Sequence, residues 1–276
     1  MKYLHLTLIF SLCFGLTLTA QTPVKRQFDL SYGIGQLTRQ DLVFSPFIQR
    51  GVSPFHIGVA YQRDKKWSQQ WSLEFAAISA RNAPEFEYAM PDKPAELLQS
   101  APHSFTFVDF DYHLGKALAV SERSIWTLGA AFSADLDAMN YVHARISNFG
   151  YFTAFDLGLY GKWACQLSSR QTLEAALEVP ILAWAAHSPY LINDDDFIQN
   201  TASHKTLQTL GSFIADGQLS TPQEYQRACG RLLYHYKLTH RWQVGILYQG
   251  DWLRYQEPLP LRAIQHHLSI QFSYNF

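Results

Sequence analysis

From Ile264 to Phe276 the chain reads Ile-Gln-His-His-Leu-Ser-Ile-Gln-Phe-Ser-Tyr-Asn-Phe and alternates without a break. Ile264, His266, Leu268, Ile270, Phe272, Tyr274 and Phe276 share one face, apolar except for His266. Gln265, His267, Ser269, Gln271, Ser273 and Asn275 share the other face, and all are polar. A period of two over this length is a β-strand with one face in oil and one in water. Any fold that accommodates it must present an oily surface on one side of a sheet and a wet one on the other.

The same pattern recurs through the chain. Phe28, Leu30, Tyr32 and Ile34 alternate with Asp29, Ser31 and Gly33; Trp71, Leu73 and Phe75 with Gln70, Ser72 and Glu74. Val108, Phe110, Tyr112 and Leu114 alternate with Asp109, Asp111 and His113. Leu173, Ala175, Leu177 and Val179 alternate with Thr172, Glu174 and Glu178, and Leu232, Tyr234 and Tyr236 with Arg231, His235 and Lys237. Short connections near 64–68, 121–123, 168–170 and 239–240 take turns with long ones at 37–53, 80–103, 136–149, 183–226 and 256–262. The reading is all-β, with about ten strands near the length a tilted membrane strand needs (eight and twelve are the alternatives). In the 183–226 connection, Leu207, Leu210 and Ile214 stand at helical spacing, and Thr221-Pro222-Gln223-Glu224 has the form of a helix start, so short helices are expected there.

Composition narrows the address. The net charge is −1, which points neither to nucleic acid nor to an acidic tail, and no nucleic-acid partner is expected. Residues 1–20 read as a signal peptide: Lys2, an apolar run from Leu4 to Leu18, then Ala20. That leaves residues 21–276 as one domain. Cys165 and Cys229 remain in it. The first falls on an oily face and the second on a wet one, which favours two unpaired thiols over a disulfide.

The terminal strand, closing on Phe276 with Tyr274 and Phe272 on the same face, resembles the carboxy-terminal strand of Gram-negative outer-membrane β-barrels. The resemblance implies a closed antiparallel transmembrane barrel in the cell outer membrane, surrounded by its lipid, whose final aromatic residue is recognised by the barrel-assembly machinery. Closure also follows physically, because lipid cannot satisfy the hydrogen bonds of an open strand edge. Trp71, Trp126, Trp163 and Trp242 fall on oily faces near short turns, whereas Trp252 and Trp184 fall toward the opposite ends. Two such belts are what a bilayer with two interfaces selects.

The wet faces carry the candidate site residues. Glu174 and Glu178 on one strand and Arg227, Arg231, His235 and Lys237 on the next suggest a charge ladder, with Glu178 level with Arg231 and Glu174 level with His235. Its role would be structural or, in an open lumen, selective. Asp109, Asp111, His113 and Asp156 form an acidic lumen cluster. In residue type and strand count this cluster resembles the omptin-type outer-membrane proteases, but no motif of that family is matched and no residue is carried over. His143 and Ser147, four apart, lack the two-residue spacing of outer-membrane acyl hydrolases. Asn193-Asp194-Asp195-Asp196 could hold Ca²⁺ but reads as a solvated loop. No phosphate loop, zinc spacing or nucleophile elbow is present, so neither cofactor nor metal is expected. The favoured expectation is a non-enzymatic barrel with a narrow or plugged lumen, its outer loops meeting a ligand or an envelope protein, as an accessory subunit of a transport or assembly complex would. A small porin and an outer-membrane lipid or peptide hydrolase are the alternatives.

Overall fold

The computed structural model describes residues 25–90, 93–119, 121, 123–143, 146–188, 211–212 and 214–276. The expected signal peptide at 1–20, the acidic stretch 193–196 and residues 204–210 of the expected helix lie outside them. Thirteen strands follow in order: β1 Lys25–Asp41, β2 Ser45–Asp64, β3 Ser68–Arg81, β4 Glu87–Met90, β5 Lys93–Gln99, β6 His103–Ala119, β7 Ser124–His143, β8 Ile146–Gln166, β9 Gln171–His187, β10 Gln218–Ser220, β11 Tyr225–Lys237, β12 Trp242–Tyr255 and β13 Leu261–Asn275.

Ten of these form the barrel: β1, β2, β3, β6, β7, β8, β9, β11, β12 and β13, each antiparallel to its neighbours. The sheet closes where β13 meets β1, from Gln27↔Asn275 to Asp41↔Leu261. The closing strand pairs over its whole alternating length, so its oily and wet faces become the outside and inside of the cylinder. At the end bearing the short turns, the Phe276 N–H donates to the Arg26 carbonyl at 3.0 Å, bringing the two ends of the described chain together.

Several connections differ from the sequence expectation. β1 and β2 continue through much of 37–53, leaving only residues 42–44 between them, and β7 and β8 absorb nearly all of 136–149. In 136–149 the alternation continues with its phase reversed, Met139 and Tyr141 facing in; in 37–53 Leu37 faces in, but so do the polar Arg39, Asp41, Gln49 and Ser53. The 80–103 connection contains the β4–β5 hairpin. The expected helix at Thr221 is a single turn: the Glu224 and Tyr225 N–H groups both donate to the Thr221 carbonyl at 2.9 Å, and β11 starts at once. Residues 211–212 and 214–215 are helical. This segment lies over β9, where the Trp184 indole N–H donates to the Ile214 carbonyl at 2.9 Å.

The outer surface of the cylinder is apolar over most of its height. Phe28, Leu30, Tyr32, Ile34, Leu128, Leu157, Leu159, Leu177, Ile246, Leu268 and Ile270 are all exposed. Such a belt is stable only against hydrocarbon. Trp71, Trp126 and Trp242 are exposed near its turn-end margin, and Trp252 and Trp184 near its loop-end margin; Trp163 pairs with Trp126.

Candidate functional site

The lumen has two layers. The first is polar and lies behind the middle of the belt. Asp111, for example, points inward between Phe110 and Tyr112, and Arg231 points inward beside the exposed Leu232. Arg227 reaches across from β11 to Asp135 on β7 at 2.9 Å and Asp156 on β8 at 3.4 Å, and to Asp251 on β12 at 2.8 Å. The Tyr225 hydroxyl also donates to Asp156, at 3.0 Å. Arg231 bonds Asp111 on β6 and lies 3.6 Å from Glu74 on β3. His113 meets Glu178 on β9 at 2.7 Å, and Ser133 bonds both Glu178 and Asp111. His56 joins Glu74 to Ser269 on β13.

Arg227–Asp135, Arg231–Asp111 and His113–Glu178 cross the lumen, others join neighbouring strands, and no single β9–β11 seam carries them, which corrects the expected ladder. The β9–β11 register places Glu178 opposite Cys229, Arg231 opposite Ala176, and Glu174 opposite Leu233, two residues away from the expected pairing. Glu174 pairs with Lys162 at 3.7 Å. Lys237 is exposed at the turn end, outside the network. Cys165 and Cys229 are both free thiols. Asp109 faces Asp135 directly across β6–β7, and the Arg227 guanidinium pairs with Asp135.

Below the network, toward the turn end, a chamber of about 70 Å³ has room for on the order of five water molecules. Asp29, Gln62, Lys162, Glu174, His235 and Gln271 line it.

The second layer lies above the network, toward the loops, and overturns the expectation of a hydrophilic interior throughout. Leu37, Phe44, Ile78, Phe105, Phe107, Met139, Tyr141, Phe152, Tyr225, Tyr255 and Leu261 belong to one buried cluster inside the barrel. Phe44 lies flat on Tyr141, with centroids 4.5 Å apart and planes 7° off parallel. The ring also rests on bare backbone at Gly150, where a Cβ would come 2.2 Å from its Cζ. A buried polar chain runs through this cluster. Arg39, fully buried, donates to Asp137 at 2.7 Å and lies 3.6 Å from Asp41, and Asp41 meets His187 at 3.0 Å. It ties β1 to β7 and β9.

On β1, β6 and β13 the outward residues at this level are polar: Gln36, Thr38 and Gln40, Ser104 and Thr106, and Arg262; on β2 the exposed Val52 stands opposite Gln36. The alternation has inverted. In β1 the oily residues face out through Ile34 and in from Leu37; in β6 they face in at Phe105 and Phe107 and out from Val108. Water above the belt forces the inversion. The candidate set read from the sequence lacked Glu74, Asp135 and Asp251 in the network and Arg39, Asp41, Asp137 and His187 above it. For Glu74 and Asp251 the parity of strands already read was the available signal; for Asp137 it was the phase reversal that extends β7 to Met139 and Tyr141.

Among the described residues no group of three or more His, Cys, Asp or Glu is arranged to hold a metal ion. His143 and Ser147 flank the β7–β8 tip, where Val142 pairs with Ser147.

No protein-family model matches this chain, and no curated protein matches it. Solved structures do match. The outer membrane protease OmpT from Escherichia coli superposes over 94% of this chain and 99% of its own, with a TM-score of 0.58 and 7% identity. The COG4313 outer membrane channel from Pseudomonas putida F1 gives 0.42 over 95% and 99% at 9% identity, and Neisserial surface protein A gives 0.36 over 93% and 99% at 8%. At these identities the likeness speaks for fold and not for chemistry, and only the first is near enough in shape to carry an argument. A closed ten-stranded barrel of that fold, wrapped in an apolar belt, is a transmembrane β-barrel of the Gram-negative outer membrane.

Proposed function

We propose that this barrel is a closed, non-enzymatic membrane protein that works through its loop-end surface. The observation that carries the reading is the double seal: a cross-lumen ionic network and, above it, an aromatic plug. Ten strands make a lumen only slightly wider than the eight-stranded kind that side chains fill. Asp111 and Glu178 are 2% and 5% exposed and fully engaged with partners, which leaves them no room to act on a substrate. By the usual sidedness of such barrels the short turns face the periplasm and the loops face outward. The loop end carries exposed Phe47, Ile48, Phe86, Leu97 and Phe149, an apolar set that suits contact with an envelope protein or an apolar ligand.

Two measurements test this. Purified protein in planar bilayers is expected to show no large, steady conductance; a steady open level would establish the channel alternative instead. A photo-crosslinking residue at Phe47, Phe86 or Phe149 in native outer membrane should give position-dependent protein or ligand adducts. Adducts at none of the three would remove the loop-end reading.

A further inference from the structure

The outward face of β12–β13 breaks the apolar belt in an ordered way. At its loop-end margin Arg254 and Arg262 are directly paired across the two strands. Side chains so placed have Cβ atoms about 5 Å apart, and like charges there repel. Among the described residues neither arginine side chain makes a hydrogen bond or ion pair. Their neighbours in the same row bring no negative charge: Gln226 on β11 and Gln40 on β1 donate their amides to the Pro222 and Pro46 carbonyls. The next row down holds Trp252 opposite Ile264, both exposed.

One row further, on a surface that should be purely apolar, stands His266. It faces Gly250, and its Nδ1 lies 2.8 Å from the Tyr248 hydroxyl. Polar groups on a lipid-facing surface are costly and need a partner. The glycine leaves a notch beside them: even a Cβ at position 250 would stand 3.5 Å from the Tyr248 hydroxyl. From Arg262 to His266 is four residues, about 13 Å along the strand. The face therefore offers, over the length of a large headgroup, two uncompensated guanidinium groups, an indole and a hydroxyl–imidazole pair, continuous with the lipid-contacting belt.

We propose that this face binds a phosphate-bearing lipid headgroup of the outer leaflet. Arg254 and Arg262 take the phosphate, Trp252 packs beside it, and the Tyr248–His266 pair bonds hydroxyl or phosphate oxygens below. The proposal does not depend on whether the lumen conducts.

The test is native mass spectrometry of the full chain in neutral detergent, titrated separately with diphosphoryl lipid A, phosphatidylglycerol, phosphatidylcholine and inorganic phosphate. Folding of each variant is checked by heat-dependent gel mobility. Wild-type protein should retain lipid A or phosphatidylglycerol in preference to phosphatidylcholine, and inorganic phosphate should not displace them. The Arg254→Gln/Arg262→Gln variant should lose about 30-fold in that retention, the value of two arginines at an anionic surface. Arg26→Gln/Arg63→Gln, which removes the outward pair at the turn end, should leave it unchanged. If the first variant fails to fold, His266→Leu serves, with an expected loss of several-fold. Equal retention of phosphatidylcholine, equal loss in the turn-end variant, or full competition by inorganic phosphate would each overturn the proposal. So would undiminished retention in both loop-end variants.

Discussion

The two layers of the lumen solve opposite problems with the same strands. Behind the belt the outside is hydrocarbon, so the apolar side chains face out and the charges turn inward, where each must find a partner. Above the belt the outside is water, so the apolar side chains turn inward and pack as they do in a soluble core. Leu37 and Ile34 stand three residues apart in β1 and face opposite ways for this reason. The polar layer is held by directional bonds from a few residues, chiefly Arg227 and Arg231; the plug is held by area and shape. The two should therefore fail differently.

The largest difference should appear in conductance. Breaking the network alone (Arg231→Ala with Asp111→Ala) or the plug alone (Phe105→Ala with Phe107→Ala) should leave the barrel closed, because the other layer still fills the bore. Combining all four should open steady conductance in planar bilayers. A channel opened by either pair alone would show that only one layer seals.

Next comes Arg227→Met. It strands Asp135, Asp156 and Asp251 and should cost about 3–5 kcal/mol in urea unfolding from micelles. Adding Asp135→Asn and Asp251→Asn should restore much of that, because the loss arises from unpaired charge. No such rescue is available to the plug: Phe105→Ala should cost about 3–4 kcal/mol by leaving a cavity, whatever its polar neighbours. Rescue that fails at Arg227 would mean that the two layers are held by the same kind of force. The smallest effect belongs to Lys162→Gln. Its pair with Glu174 is partly open to the chamber, so the change should stay under about 1 kcal/mol and shrink further in salt.

How much of this was legible beforehand varies with distance along the chain. The Ile264–Phe276 alternation already specifies a strand, its faces and its place in the wall, and the structure pairs it on both sides over that length. The inward direction of Asp109, Asp111, His113, Asp156, Glu174, Glu178, Arg227, Arg231 and His235 was equally local, since parity along a strand decides it. Their partners were not. Glu178 meets His113 from 65 positions away, and Arg231 meets Asp111 from 120. Such pairs depend on the tilt of the strands and on register shifts such as the one between Leu157 and Gly158, where two β9 residues oppose one step of β8.

By itself, then, the sequence determined the ten alternating strand segments, the two faces they present within the belt, the closure and the membrane setting, because all of these follow from a period of two read against the solubility of backbone in lipid. Only the tertiary structure decided which charges meet across the bore and that an aromatic plug stands above them. Those depend on how ten strands are staggered around a cylinder, and stagger is a property of the whole ring that no single strand encodes.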